Sequence, residues 1–327
     1  MQDNLKLVVI SPIRNEAWVL EAFLTHTSSW ADRIILADQH STDESREIAR
    51  KFPKVTLIDN SAAEMNMAAT RRLLFEETDR IGGDKIIFAL DADEFLSDGF
   101  MHTDGWNRII HSAPDSIFCF RWTNLHGDYR HFEDTPRPYE WACHFSAGTK
   151  VAELYRKHES SPIHESRIPC IAEARYIDID DITFVHLGRL NKQRTANKEL
   201  LYQIHSIQKG ISPVSIYRSY NTPPLVSTAK ADIAITTSNG DSLKHLIHTS
   251  DNGQHYIDEA ISFIRAEGTR KFQWLCIWDN SDLQAAGIRV LPPLRVRLFH
   301  KYLQITQKYR NLFFVMAIDR ILKHLLP

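Results

Sequence analysis

The chain has 327 residues, with 39 Lys+Arg against 41 Asp+Glu, 43% hydrophobic residues, four cysteines and 12 glycines. That length suits one large domain or two modest ones. A net charge of −2 excludes a generally basic nucleic-acid binder and a disordered acidic chain. Glycine stands at about half its usual share of roughly 7%. It forms neither G-x-G-x-x-G nor G-x-x-x-x-G-K-[ST], so neither glycine-loop route to a nucleotide is present.

The cysteines (Cys119, Cys143, Cys170, Cys276) are widely spaced and form no C-x-x-C. They predict reduced, unpaired thiols. The apolar run before Pro12 is too short for a signal-peptide core, and no stretch of about 18 apolar residues occurs. A cytoplasmic protein without a membrane span is therefore expected.

Residues 5–10 (LKLVVI) are an apolar run broken only by Lys6 near its start, as expected of a strand buried on both faces. Residues 16–30 follow with helical spacing. Arg33–Asp38 (RIILAD) reads as a second buried strand, and Ser41-x-x-Glu44 as a capping box opening a helix through Lys51. Val55–Asp59 is a third strand, residues 62–81 a long helix, and residues 85–91 (KIIFALD) a fourth strand. Strand and helix alternating at this spacing predict an α/β fold with a parallel sheet covered on both faces.

Ligands of such sheets bind beyond the carboxyl ends of the strands. The residues there are 11–16 (SPIRNE), 38–41, Asn60 and 91–94 (DADE), and acids recur among them. Together they predict a polar cleft that demands a cation. From about 101 to 190 histidines and aromatics accumulate among mixed β segments. From 191 the chain reads as mainly helical. The expected organisation is 1–190 as one domain with halves 1–100 and 101–190, and 191–327 as a helical C-terminal region.

Asp91 and Asp93, delivered by an apolar strand onto a loop, are hard oxygen ligands of the kind that hold Mg²⁺ or Mn²⁺ beside substrate phosphates. The alternative is an acidic turn that caps the next helix. An aspartyl-phosphate loop of the haloacid-dehalogenase kind fits poorly, because no Thr follows two residues after the second Asp.

Several segments, in order, resemble the family 2 inverting glycosyltransferases of GT-A fold. They are residues 11–16 (SPIRNE), 36–43 (LADQHSTD), 69–72 (ATRR) and 90–94 (LDADE). More loosely, 162–165 (PIHE) and 184–187 (FVHL), with Lys198 and Tyr202, are similar to a branch that includes lipopolysaccharide-core glucosyltransferases. Gln39-His40 and Arg72 depart from the family pattern.

The resemblance implies a GT-A domain over roughly 5–202 and a nucleotide-diphosphate sugar, a UDP-sugar first, as donor. A cell-envelope or capsular glycan would be the acceptor, and Mn²⁺ or Mg²⁺ the cofactor. It implies that Pro12, Arg14, Asn15, Glu16, Asp38, Arg71 and Asp91 line the donor cleft. Asp93, Asp91 and His186 would hold the metal, and Glu165 would take the acceptor proton, with Glu94 a second candidate. Against each stands a plainer role. Arg71 could be a solvated helix-face cation, Glu165 a surface partner of Arg167, and His186 a core histidine. The aromatic stretch 122–145 is either an acceptor wall or a loop packed on the sheet. Two other classes fit the same features: a nucleotidyltransferase on a similar sheet, or a non-catalytic nucleotide-sugar or glycan binder.

Residues 289–327 hold eight Lys/Arg and one acid, so they carry +7 and residues 1–288 carry −9. Large apolar residues recur through them. A long basic amphipathic helix is expected there, in contact either with an anionic membrane surface or with the domain itself. No nucleic-acid recognition motif accompanies it.

Overall fold

A computed structural model describes residues 5–61, 66–156, 167–169, 171 and 173–325. The chain divides into two compact units, Met1–Leu190 with Val226–Thr249, and Asn191–Leu225 with Ser250–Pro327. The return of Val226–Thr249 to the first unit carries no signal in the sequence.

The first unit opens with β1 (Lys6–Ile13), α1 (Ala17–Ser28), β2 (Arg33–Asp38), α2 (Ser45–Arg50), β3 (Val55–Asp59), α3 (Met67–Thr78) and β4 (Lys85–Ala89). Strands β4, β1, β2 and β3 lie side by side, all parallel. The apolar runs of β1, β2 and β4 reflect burial on both faces, whereas β3, at the sheet edge, is only partly buried. Val9, Ile34, Leu36 and Phe88 face a layer with Phe23 and Leu24 of α1. Val8, Ile10, Ile35 and Ile87 face the opposite layer with Leu74 and Phe75 of α3. Period-two side chains on a doubly covered sheet give this split.

The chain continues through β5 (Glu94–Leu96), α4 (Asp104–Ile110), β6 (Ser116–Leu125), β7 (His131–Asp134), β8 (Tyr139–Phe145), α5 (Val151–Arg156), β9 (Arg175–His186) and, after an excursion, β10 (Ser227–Thr228). These extend the sheet in the order β10-β7-β6-β8-β4-β1-β2-β3, with β9 pairing β6 and β5. The fold class is thus α/β, with a parallel central block and antiparallel additions. The aromatic stretch 122–145 is not a loop packed on the sheet: most of it is β6, β7 and β8, strands of the sheet itself. Trp122 and Trp141 meet edge to face at 5.6 Å.

The second unit holds α6 (Lys192–Gln208), α7 (Pro213–Tyr220), α8 (Gln254–Glu267), α9 (Ser281–Ala285), α10 (Leu294–Thr306) and α11 (Phe313–Leu325). Leu200, Leu201, Ile204, Ile257 and Ile264 form its main core.

Three local expectations are corrected. Ser41 and Glu44 form no capping box. Glu44 caps α2 without a side-chain bond, because the Ser41 hydroxyl instead accepts the Asn15 N–H at 2.9 Å. The third helix starts at Met67, where the Asn66 side chain accepts the Ala69 N–H; residues 62–65 lie outside the described set. The basic tail is two helices, not one. The Arg218 guanidinium takes the Leu303 carbonyl and the side chains of Thr306 and Gln307, and so ends α10 with a cation where orphan carbonyls favour one.

Among the described cysteines, Cys119, Cys143 and Cys276 are free. Burial pushes the Cys119 and Cys276 thiols up to about 12, which makes them poor nucleophiles.

Candidate active site

The carboxyl ends of β1, β2 and β3 are level: Ile13 pairs Asp38, and Asp38 pairs Asp59. The loop after β1 is bound to the loop after β2. Asn15, at a left-handed φ of 54°, accepts the Thr42 N–H on its side chain at 2.7 Å. The Glu16 N–H donates to the Ser45 hydroxyl at 2.9 Å and the Ala17 N–H to Asp43 at 3.0 Å. The first N–H groups of α1 are thereby satisfied by side chains. Glu16 itself accepts the Trp18 indole N–H. Asn15 and Glu16 thus act, first of all, as the joint between two strand-end loops. Arg14 is half-buried between them.

Asp38 has a fully buried side chain. One oxygen pairs with Arg46 at 2.5 Å, and Arg46 also reaches Asp59 at 2.7 Å. The other oxygen, Oδ1, is buried with no hydrogen-bond partner among the described residues. A buried acceptor left in that state costs about 1–3 kcal/mol, so the position is suited to a donor brought by a ligand. Pro12, Arg71 and Asp91 share the wall of a shallow depression with Ile10, Leu74, Ala89 and Leu90.

The acids of the 91–94 loop go three ways. Glu94 is fully buried and accepts both guanidinium nitrogens of Arg167 at 2.6 and 2.8 Å. It also accepts the Trp141 indole N–H and the Asp91 N–H. Asp91 pairs with the same arginine at 2.9 Å, and Arg167 lies over the Trp141 ring at 5.1 Å. Burial raises the Glu94 carboxyl, and Arg167 only partly counters this. Burial works against the charge on Arg167, but Asp91 and Glu94 together outweigh it and hold the guanidinium above its ordinary value. With no exposed surface, Glu94 cannot touch an acceptor sugar and is not a general base as it stands.

Asp93 points elsewhere. The β5–β9 pairing sets Glu94 opposite His186, and the Leu187 N–H donates to the Asp93 carbonyl. His186 Nε2 then lies 3.3 Å from Asp93 Oδ2, while Nδ1 is 2.7 Å from Asn124 Oδ1. A ring nitrogen and a carboxylate oxygen thus face one another at a spacing that can hold a cation between them. Holding the far ring nitrogen in a hydrogen bond is also how ligating histidines are oriented.

Gly188 closes this pair. A Cβ there would stand 2.6 Å from the His186 ring and 3.0 Å from Asp93. Trp122 flanks the imidazole with ring centroids 4.5 Å apart. Among the described residues no group of three or more His, Cys, Asp or Glu side chains converges as a metal cluster. The pair nevertheless fits Mg²⁺ or Mn²⁺, which keep waters and take substrate phosphates as their remaining ligands.

The structure therefore brings Asp93 and His186 together and draws Asp91 to an arginine. Asp38, Arg71 and Pro12 stay on the strand-end edge. Glu165 lies outside the described residues. Lys198 and Tyr202 belong to the second unit, the ammonium 5.8 Å over the ring. Four contributors escaped the sequence reading: Arg46, Asn124, Arg167 and Gly188. Only Gly188 left a trace, as a glycine straight after F-V-H-L in a glycine-poor chain.

An open α/β sheet of this kind takes its ligands beyond the carboxyl ends of its strands, where these residues lie. Residues 8–148 match the family model described as glycosyl transferase family 2, and the first unit has the corresponding GT-A, family 2 glycosyltransferase-like fold. No curated protein matches the chain. Among solved structures, HddC from Yersinia pseudotuberculosis is similar at 14% identity over 56% of this chain and 94% of that one, with a TM-score of 0.33. CTP:phosphocholine cytidylyltransferase (LicC) from Streptococcus pneumoniae shows 11% identity over 59% and 97%, with a TM-score of 0.35. Glucosyl-3-phosphoglycerate synthase from Mycobacterium tuberculosis, solved with Mn²⁺, UDP and glucosyl-3-phosphoglycerate, shows 12% over 37% and 44%, with a TM-score of 0.27. This chain spans less than half the length of that synthase.

Proposed function

We propose that the first unit is a metal-dependent, inverting glycosyltransferase domain. It takes a sugar from a nucleotide-diphosphate donor, a UDP-sugar in our reading, and passes it to a hydroxyl of a cell-envelope or capsular glycan. It would act from the cytoplasmic side. The observation that carries the reading is the Asp93–His186 pair, held by Asn124 and Gly188 beside the Arg167–Asp91–Glu94 cluster.

Mn²⁺ or Mg²⁺ held by Asp93 and His186 would supply positive charge where the departing diphosphate gathers negative charge. Asp38 Oδ1, buried and unpartnered, would accept a donor N–H or O–H of the base or ribose. Arg71 would add a fixed cation beside Asp91 in the depression. Glu165 would accept the acceptor's proton as the hydroxyl attacks in line, so that one bond forms as the other breaks and the configuration inverts.

A panel of nucleotide sugars, assayed for hydrolysis and transfer with Mn²⁺ and with EDTA, tests this. We expect release of a nucleoside diphosphate with Mn²⁺ and none with EDTA. Asp93→Ala should lower turnover by about 10²–10³, and Glu165→Gln should keep donor binding while losing transfer. Absence of metal-dependent turnover or binding for every donor would overturn the reading.

A further inference from the structure

Of the seventeen large apolar residues exposed among the described residues, twelve lie between Leu291 and Leu325. Monomers rarely leave apolar side chains concentrated like this unless something covers them. The pattern on α11 is ordered. Val315, Asp319 and the partly buried Leu322 face the second unit's own packing. Phe314, Ile318, Ile321 and Leu325 recur at i, i+4, i+7 and i+11, and all four are exposed. At 100° per residue this second stripe lies beside the first, so the apolar face of α11 is about twice as wide as the unit covers. On α10, Leu294, Leu298 and Ile305, at i, i+4 and i+11, form a further exposed apolar stripe, across the helix from buried Val296, Phe299 and Leu303.

The charge decides what covers this surface. The segment's one acid, Asp319, is buried and taken by Arg218 at 2.9 Å. Every charged side chain left facing outward on the two helices is therefore basic: Arg295, Arg297, Lys301, Arg320 and Lys323. Two copies joined through this face would bring two such arrays together and repel. Neither helix is long and apolar enough to cross a membrane. An exposed apolar stripe on helices whose outward charges are all cations matches the boundary between the anionic headgroups and the acyl chains of a lipid leaflet.

We propose that α10 and α11 form an interfacial dock for an anionic lipid bilayer. Phe314, Ile318 and Ile321 enter the acyl boundary, and Arg320 and Lys323 lie among the headgroups. The dock belongs to the second unit and does not depend on the reaction proposed for the first.

Flotation of the full chain with vesicles tests it. Phosphatidylglycerol–phosphatidylcholine vesicles should carry the protein, and pure phosphatidylcholine vesicles should carry it at least roughly tenfold less well. Raising the salt should weaken the anionic binding. Phe314→Ser/Ile318→Ser/Ile321→Ser should lose about a hundredfold in partitioning. Arg320→Glu/Lys323→Glu, which leaves the apolar stripe intact, should lose the preference for anionic vesicles even if the triple variant folds poorly. No flotation of the full chain, or equal flotation of both variants, overturns the dock. A dimer seen by light scattering that the triple variant abolishes would also overturn it, by assigning the face to a second copy. Nucleotide-sugar hydrolysis measured without vesicles reports on the first unit alone, so failure of one proposal is separable from failure of the other.

Discussion

Each unit contains an arginine laid on an aromatic ring and paired with a buried carboxylate, and the knots around Arg167 and Arg218 differ in charge. In the first, Arg167 sits 5.1 Å over Trp141 and serves two carboxylates, Glu94 and Asp91. In the second, Arg218 sits 5.8 Å over Tyr302 and serves one, Asp319. The second knot is neutral and ends a helix; nothing in it asks for a further ion. The first sets two carboxylates on one guanidinium, with the Asp93–His186 pair beside it. Two clusters of the same chemistry thus differ in their surroundings: one ends a helix, and the other adjoins the pair proposed to hold a metal.

The largest expected effect comes from Arg167. Arg167→Met keeps the bulk over Trp141 but leaves Glu94 ionised and buried without its partner. Removing one member of a buried pair costs about 3–5 kcal/mol. The urea midpoint should fall accordingly at neutral pH, and Arg167→Met/Glu94→Gln should recover part of the loss. If the single variant melts like the parent chain, Arg167 is not the tie described here.

The first unit also contains an ionisable group that is buried without charge. His26 is fully buried; its Nδ1 lies 2.7 Å from the Thr236 carbonyl, and the Leu96 N–H approaches its Nε2 at 3.2 Å. Nδ1–H donates and Nε2 accepts, so the neutral ring satisfies both contacts and a proton on Nε2 would break the second. Burial, only partly offset by the bond to Thr236, lowers its pKa to about 4. The unfolded chain titrates near 6.5 and so binds the proton more readily. Stability is therefore full above that value and falls as the pH drops from about 6.5 to about 4, by about 3 kcal/mol in all. Urea unfolding across this window should show the slope in the parent chain and a flatter profile in His26→Gln. Parallel profiles would remove His26 as its source.

How much of this was legible follows from where each signal resides. Strands β1, β2 and β4 could be read from single segments, because a doubly buried strand writes its burial as an apolar run; β3, partly buried at the sheet edge, was legible from its place in the strand–helix alternation. Asp38, Asp91 and Asp93 could be placed at strand ends for the same reason. The site's inner arrangement could not be read this way. Glu94 meets Arg167 across 73 residues, and Asp93 meets His186 through β5, a strand of three residues too short to show a period. The break between α10 and α11 was hidden likewise, since Arg218 lies far up the chain from the helix it ends. Fields and pairings between distant segments leave no local pattern; burial does.

The smallest effect should come from Arg218, and it tests the comparison most directly. Arg218→Met frees Asp319, but the Tyr302 hydroxyl still donates to that carboxylate at 2.8 Å. Burial, reinforced by the bond to Asp319, pushes the Tyr302 hydroxyl up to about 12, so it stays a donor throughout the range in which the protein would be studied. The acid is not abandoned as Glu94 would be, and the guanidinium's bonds to Leu303, Thr306 and Gln307 are individually modest. A loss of about 2–3 kcal/mol is expected. Hydrogen exchange should place the loss in α10 and α11, with β1–β4 unchanged. A loss as large as that of Arg167→Met, or one spread into the sheet, would mean that the number of carboxylates served by each arginine is not what separates the two knots.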